Sequence, residues 1–287
     1  MAAASLEEVA SARRRPWPLQ LKAGLLIVGT IAVLAALAPW IAPHPWDTVS
    51  IRTRFQAPNA TYWLGTDDYG RDVLSRLLMG ARLSLAMGIG ATLFSVAIGV
   101  PIGLAAGYFR GWVDEVLMRA ADVLMAIPAI MLGLLVLAVT PPALWKTALA
   151  VGFVYIPLIA RVARSVTLGL ANEDFVQAAR ARAEGAGYIL FREILPNAWP
   201  PLIVEASLRV TYAILLGSAL SFLGLGAQPP SSDWGLMIAE ARQFIDRAPW
   251  IALAPGIAMC VLVIGINLVG DGLRERLDPR LQRQVAK

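Results

Sequence analysis

Six apolar runs, each about as long as a bilayer is thick, limit what this chain can fold into. They cover residues 21–42, 83–108, 116–140, 143–168, 199–226 and 250–269. About 20 residues of helix, at ~1.5 Å each, cross the ~30 Å hydrocarbon layer. Composition agrees: 57% of the residues are hydrophobic and only 16% charged. That is the balance of a multi-span membrane protein, not of a soluble enzyme. The expected fold class is an all-α integral membrane protein with six transmembrane helices, and one expected partner is the lipid bilayer itself. For the first run the rival reading is a cleaved signal peptide, because Ala36-Leu37-Ala38 imitates a cleavage site. The apolar run continues past that site, which favours a span.

The spans carry a few informative residues. Gly99, Gly103 and Gly107 recur every four residues and offer one small face for close helix packing. Pro101 is placed to kink the second span, and Pro128 and Pro157 lie inside the third and fourth. Asp122 is an intramembrane acid and a functional candidate by default. Arg119, three residues earlier on the same face, is its expected partner. Arg161 and Arg164 are placed to snorkel from the fourth span. Glu205 and Arg209 have the favourable i,i+4 order.

Other chemistry is thin. Asp67, Asp68 and Asp72 do not have the alternating spacing of a calcium loop. The single histidine, His44, lies beside prolines and lacks companions for a metal site. The single cysteine, Cys260, excludes an intrachain disulfide and reads as a packed core residue. No metal, catalytic or cofactor-binding residue is expected. A phosphate loop needs Gly-Lys followed by Ser or Thr; none of Lys22, Lys146 and Lys287 follows a glycine. An intramembrane aspartyl protease using Asp122 and Asp271 lacks the glycine pattern around Asp271. An ion-coupled secondary transporter would show midplane ionisable groups and an internal repeat, and neither is evident.

One polar island, residues 172–196, stands between the fourth and fifth spans. It reads NEDFVQAARARAEGAGYILFREILP. Asn172 is a candidate helix cap, with Glu173 and Asp174 at the favourable end of the dipole. Residues 178–183 are good helix formers. Gly185 and Gly187 predict an elbow, and residues 188–195 a second short helix ending before Pro196. A rigid knob with a small-residue tip suits docking into a groove of another protein; the bland alternative is a solvated loop.

Gln177-Ala178-Ala179, followed at fixed distance by Ile194-Leu195-Pro196, resembles the EAA loop of ATP-binding-cassette import permeases. The string WLGTDDYGRDVLSR at 63–76, LSFLGLG at 220–226 and NLVGDGLRERLDPRL at 267–281 are similar to the peptide and nickel subfamily, C-type permease. Two positions depart from the loop motif: its leading Glu is Gln177, and its usual Gly is Ala183. A Glu often found three residues before LSFLGLG is Gly217 here. The resemblance implies a type I importer permease with a cytoplasmic coupling loop. It assigns Gln177, Ala178, Ala179, Arg182, Ala183, Glu184 and Gly185 to ATPase docking. It also implies a second homologous permease, two ATPase subunits or domains that bind ATP and Mg, and an extracytoplasmic solute-binding protein. The implied setting is a bacterial or archaeal cytoplasmic (inner) membrane. Pathway residues and the transported solute are not readable from it.

The implied organisation is a cytoplasmic N-terminal segment (1–20), a first span (21–42), an extracytoplasmic loop (43–82), a five-helix permease core (83–271) and a cytoplasmic tail (272–287). The net charge of +5 would point to nucleic acid in a soluble chain. Here most of the arginine lies beside apolar spans and reads as topology, with no nucleic-acid partner. The regions assigned to the cytoplasm, namely the N-terminus with Lys22, the 109–119 loop, the 161–209 region and the tail, hold 17 of the 25 Lys and Arg, as the positive-inside rule requires.

Overall fold

The computed structural model describes residues 17–138 and 141–277. The Arg13-Arg14-Arg15 run, Thr140 and tail residues 278–287 lie outside the described residues. Within them the secondary structure is helical, apart from one isolated bridge between Thr66 and Asp72. Five helices are long and apolar enough to cross a membrane, and there are six such spans if one bent pair of helices counts as a single span.

Helix α1, Leu19–Ile41, packs on the last helix, α10, Trp250–Leu277. A Cβ added at Gly24 would stand 2.6 Å from the Val269 amide, and one at Gly272 would stand 2.6 Å from the Leu21 backbone. Helix α2, Val73–Phe109, has 37 residues. At about 1.5 Å per residue it reaches ~55 Å, well beyond the hydrocarbon layer. It begins ten residues before the apolar run because Asp72 caps it, accepting from the Ser75 amide at 3.0 Å. The helix continues through Pro101 to Phe109.

The third span differs from expectation. It is two helices, α3 at Gly111–Ala126 and α4 at Ala129–Ala138, bent by 90°. Pro128 has no N–H and disfavours helical geometry in the residue before it. Ile127 accordingly adopts extended φ/ψ of −88° and 128°.

Helix α5, Leu144–Leu170, runs against α2 along the glycine face. A Cβ at Gly99 would stand 2.8 Å from the Ile156 carbonyl oxygen, and one at Gly107 2.7 Å from Thr167 Cβ. Arg161 and Arg164 do not simply snorkel. Arg161 pairs with Asp122 at 2.5 Å, and Arg164 pairs with Asp114. Asp122 therefore takes its partner from α5 and not from Arg119. An opposing helix holds the guanidinium in place, whereas Arg119 shares only the acid's own surface.

The polar island follows as α6, Asp174–Ala181, and α7, Ala186–Tyr188. A π-helical stretch, Ile189–Ile194, then runs without interruption into α8, Leu195–Phe222. Pro196 lies just past the π-helical stretch, inside a helix that continues through it. It therefore ends no helix, contrary to expectation.

The opposite end of α2 carries a second polar assembly. Asp67 accepts from Arg71 Nε and Arg76 Nη1, each at 2.6 Å. The same two arginines reach Glu240 at 3.0 and 2.9 Å. All four groups are mostly buried, and they tie the 43–72 loop to α9, Trp234–Ala241. No group of metal-ligating side chains occurs among the described residues. His44 is structural: its amide donates to Ser75 Oγ at 3.1 Å and its ring lies 4.8 Å from Tyr62. Cys260 is exposed on α10, not packed in the core. An apolar run on a membrane helix has a lipid-facing side as well as a buried one, and sequence does not separate them.

Candidate functional site

The island is a compact knob seated on the ends of α2 and α5. Val176 and Ala179, both fully buried, join Leu104, Ile159, Ala163, Ile189 and Ile194 in one apolar cluster. Ala179 therefore faces this chain's own core. Gln177, Ala178, Arg182, Ala183 and Gly185 face outward, and Glu184 is half-buried. The periodicity of α6 explains the split: Val176 and Ala179 are three apart and share its inner face.

The N-terminus of α6 is not capped by Asn172. Glu173 occupies the cap position without a side-chain hydrogen bond. Asn172 Oδ1 instead accepts from Arg110 Nη2 at 3.4 Å. That contact links the loop to the turn between α2 and α3.

The C-terminal end of α6 sets the shape of the knob. The Ala183 amide donates to the Arg180 carbonyl at 2.9 Å, and the Glu184 amide to the Ala179 carbonyl at 3.2 Å. This is a Schellman closure, with Ala183 in the left-handed region at φ +55°. The elbow thus falls on Ala183 and not on the glycines. Gly185 has φ −69°, and Gly187 lies within α7. A Cβ at Gly185 or Gly187 would meet nothing within 4 Å. The family's usual Gly at position 183 has a direct physical cause: a Schellman turn places that residue where glycine alone is unstrained.

Polar contacts brace the second half. Arg182 lies 3.3 Å from Glu193 and 3.7 Å from Glu184, spanning the elbow. The Arg180 guanidinium lies 5.1 Å from the Tyr108 ring at the end of α2. None of these partners is signalled by sequence spacing alone. The result is a small apolar tip, Ala178 and Ala183, ringed by Gln177, Arg182 and Glu184.

Residues 99–283 match the family described as binding-protein-dependent transport system inner membrane component. The chain is 40% identical over 259 residues to the dipeptide transport system permease protein DppC of Alkalihalophilus pseudofirmus, covering 90% of this chain and 85% of that protein. It is 41% identical over 261 residues to the glutathione transport system permease protein GsiD of Pectobacterium atrosepticum, covering 91% and 86%. In fold it is similar to a chain of the MetNI methionine ABC transporter in an inward-facing conformation. That match has a TM-score of 0.60 and 18% identity, and covers 71% of this chain and 96% of the other. With the family match extending over more than half the sequence, and relatives at this level over nearly all of it, the chain belongs to the binding-protein-dependent inner membrane components, the membrane permease subunits of ABC importers.

Proposed function

We propose that this chain forms one half of the translocation pathway of an ATP-driven importer of short peptides. A second, similar permease forms the other half. Two ATPase subunits or domains bind ATP and Mg, and an extracytoplasmic binding protein delivers the solute. Both termini and the 172–196 knob lie on the cytoplasmic side. The chain itself holds no cofactor and hydrolyses nothing. ATP-driven closure of the ATPases pulls on the knob and tilts the spans from inward to outward opening. Relatives named for dipeptide and glutathione transport support the peptide cargo.

The observation that carries this reading is the build of the knob. Its inner residues Val176, Ala179 and Ile189 are locked into the α2–α5 core, while its tip presents Gln177, Ala178, Arg182, Ala183 and Gly185 outward. A force applied to the tip is delivered to the spans and not absorbed by a loose loop.

The test is Ala183→Asp. Asp tolerates the left-handed conformation better than most residues, so the fold of the knob is retained. An unpaired charge buried against the ATPase groove costs more than the about 1–3 kcal/mol of simple overpacking. The variant should reach the membrane at normal levels, copurify poorly with the ATPases and lose peptide uptake. Full copurification with full uptake would reduce the knob to a connecting loop. Uptake by the lone subunit, driven by an ion gradient, would favour the secondary-transporter alternative.

A further inference from the structure

We infer that Glu205 and Arg209 form a step on the solute path that recognises a zwitterion, Arg209 taking the carboxylate and Glu205 the ammonium group of a passing short peptide. The inference rests on the peptide reading above. A cavity of about 830 Å³ opens between α5, α8 and α10. Its walls include Ser165, Gly169, Asn197, Pro200 and Leu208, and also Glu205. One turn beyond Glu205, Arg209 Nε donates to its carboxylate at 2.6 Å. The Arg209 guanidinium lies 5.8 Å from the Tyr155 ring and 5.5 Å from the Tyr212 ring. Tyr155 is fixed in turn, because its hydroxyl donates to the Tyr212 carbonyl at 3.1 Å.

The pair lies deep along the helix. The next residue, Val210, has its carbonyl 3.3 Å from where a Cβ on Gly88 would stand, midway along α2. Charges at such depth are costly and need a compensating role. Two other pairs, Arg161–Asp122 and Arg164–Asp114, are more exposed and each joins two helices. Glu205–Arg209 is an i,i+4 pair within α8, and Arg209 reaches α5 at the Tyr155 ring. It brings little cross-linking in return for its desolvation. Both side chains also keep some contact with open space, at 15% and 17% exposure.

The chemistry matches a peptide with free termini, which carries one ammonium and one carboxylate. An exchange of partners leaves every charge paired throughout: Arg209 passes from Glu205 to the solute carboxylate while Glu205 takes the ammonium. No unpaired ion is left in a low-dielectric site. Because one good pairing replaces another, the solute is held weakly enough to leave, as transport requires. The two proline rings at 200 and 201 remove the N–H partners of the Pro196 and Asn197 carbonyls. Of these two residues, Asn197 lines the cavity.

The experiment uses the full complex, with ATPases and binding protein, in vesicles, and dialanine as the probe. At equal subunit levels, Arg209→Gln and Glu205→Gln should each lower ATP-driven dialanine uptake about tenfold, while Arg209→Lys keeps most of it. A second measurement leaves the pair intact. In a Cys260→Ser background, Val204→Cys should react with a charged thiol reagent, and saturating dialanine under turnover should slow that reaction. This second readout decides the matter if a charge variant fails to fold. Wild-type uptake rates in both Gln variants, or labelling unaffected by dialanine, would overturn the inference while leaving the importer reading intact. If the wild-type complex drives no dialanine uptake with ATP, the peptide reading fails and this inference fails with it.

Discussion

Gly103 lies so close to Ala160 that a Cβ built on it would stand 2.2 Å from the Ala160 carbonyl oxygen and 2.5 Å from Ala163 Cβ. The obstacle is backbone, which cannot swing aside as a flexible side chain can. Gly99 and Gly107 meet Ile156 and Thr167 on the same face. The α2–α5 contact therefore depends on three absent side chains, and the knob is seated on its end.

Gly103→Val should force the two helices apart. Overpacking of this kind costs about 1–3 kcal/mol. The detergent-solubilised subunit should melt at a lower temperature, and ATPase copurification should fall with it. Gly90→Val is the control, since a Cβ there meets nothing within 4 Å. An equal loss in both variants would mean that glycine content, and not this contact, sets stability.

Ala183→Gly should stabilise the knob. A non-glycine residue in the left-handed region carries a cost of ~1–2 kcal/mol, and Ala183 has φ +55°. Part of the gain is lost because glycine is freer in the unfolded chain. A net effect of about 0.5–1 kcal/mol is expected. It should appear as slower hydrogen exchange at the amides of Ala183 and Glu184, which close the turn. Ala183→Val, β-branched, should speed exchange at the same amides.

The apolar runs were sufficient to locate the membrane helices, because length and hydropathy decide whether a helix spans. The spacing of Gly99, Gly103 and Gly107 marked a face, and that face meets α5. What sequence did not carry was partner choice across helices. Asp122 found Arg161 and not Arg119, since helix packing decides which of two nearby cations is better placed. Pro128 was visible inside the third span, but the 90° break beside it was not read from the sequence. The elbow fell on Ala183 although two glycines stood next to it, because the length of α6 and its closing hydrogen bonds fix the turn position. Glu240, more than 160 residues from Arg71 and Arg76, joined them through tertiary folding alone.

The charge distribution carries a prediction about sidedness. Reporter fusions after Pro58 and after Ser232 should read outside, and a fusion after Gly187 inside. Both fusion points on the outer side belong to the assembly that joins the 43–72 loop to α9, where Trp250 Nε1 donates to the Thr66 carbonyl at 3.2 Å. They should therefore give the same reading as each other. An external signal at Gly187 would remove the knob from reach of any cytoplasmic ATPase and sink the proposed coupling.

Asp67 and Asp68 are neighbours in sequence, yet their neutralisation should have opposite effects. Asp67 accepts from Arg71 and Arg76 and from the backbone amides of Tyr69 and Arg71 at 2.9 Å. Asp67→Asn leaves two buried guanidinium groups to share Glu240. Breaking such a buried cluster costs about 3–5 kcal/mol, so the melting temperature should fall sharply. Asp68 lies differently. Burial, and then the charges of Asp67 and Glu240, push its carboxyl above the ordinary 3.8, with Arg71 only partly opposing them. A carboxyl raised in the folded state contributes stability that is full below pH 3.8 and is lost as pH rises through its folded value. At neutral pH its charge is therefore a burden. Asp68→Asn should raise the melting temperature at pH 7, by an amount worth under about 1 kcal/mol given solvent screening. The gain should shrink as pH falls towards 4, where wild-type Asp68 becomes neutral as well. Thermal scans of both variants across that pH range decide the matter. A destabilised Asp68→Asn at pH 7 would show that Arg71, and not burial, governs this carboxyl.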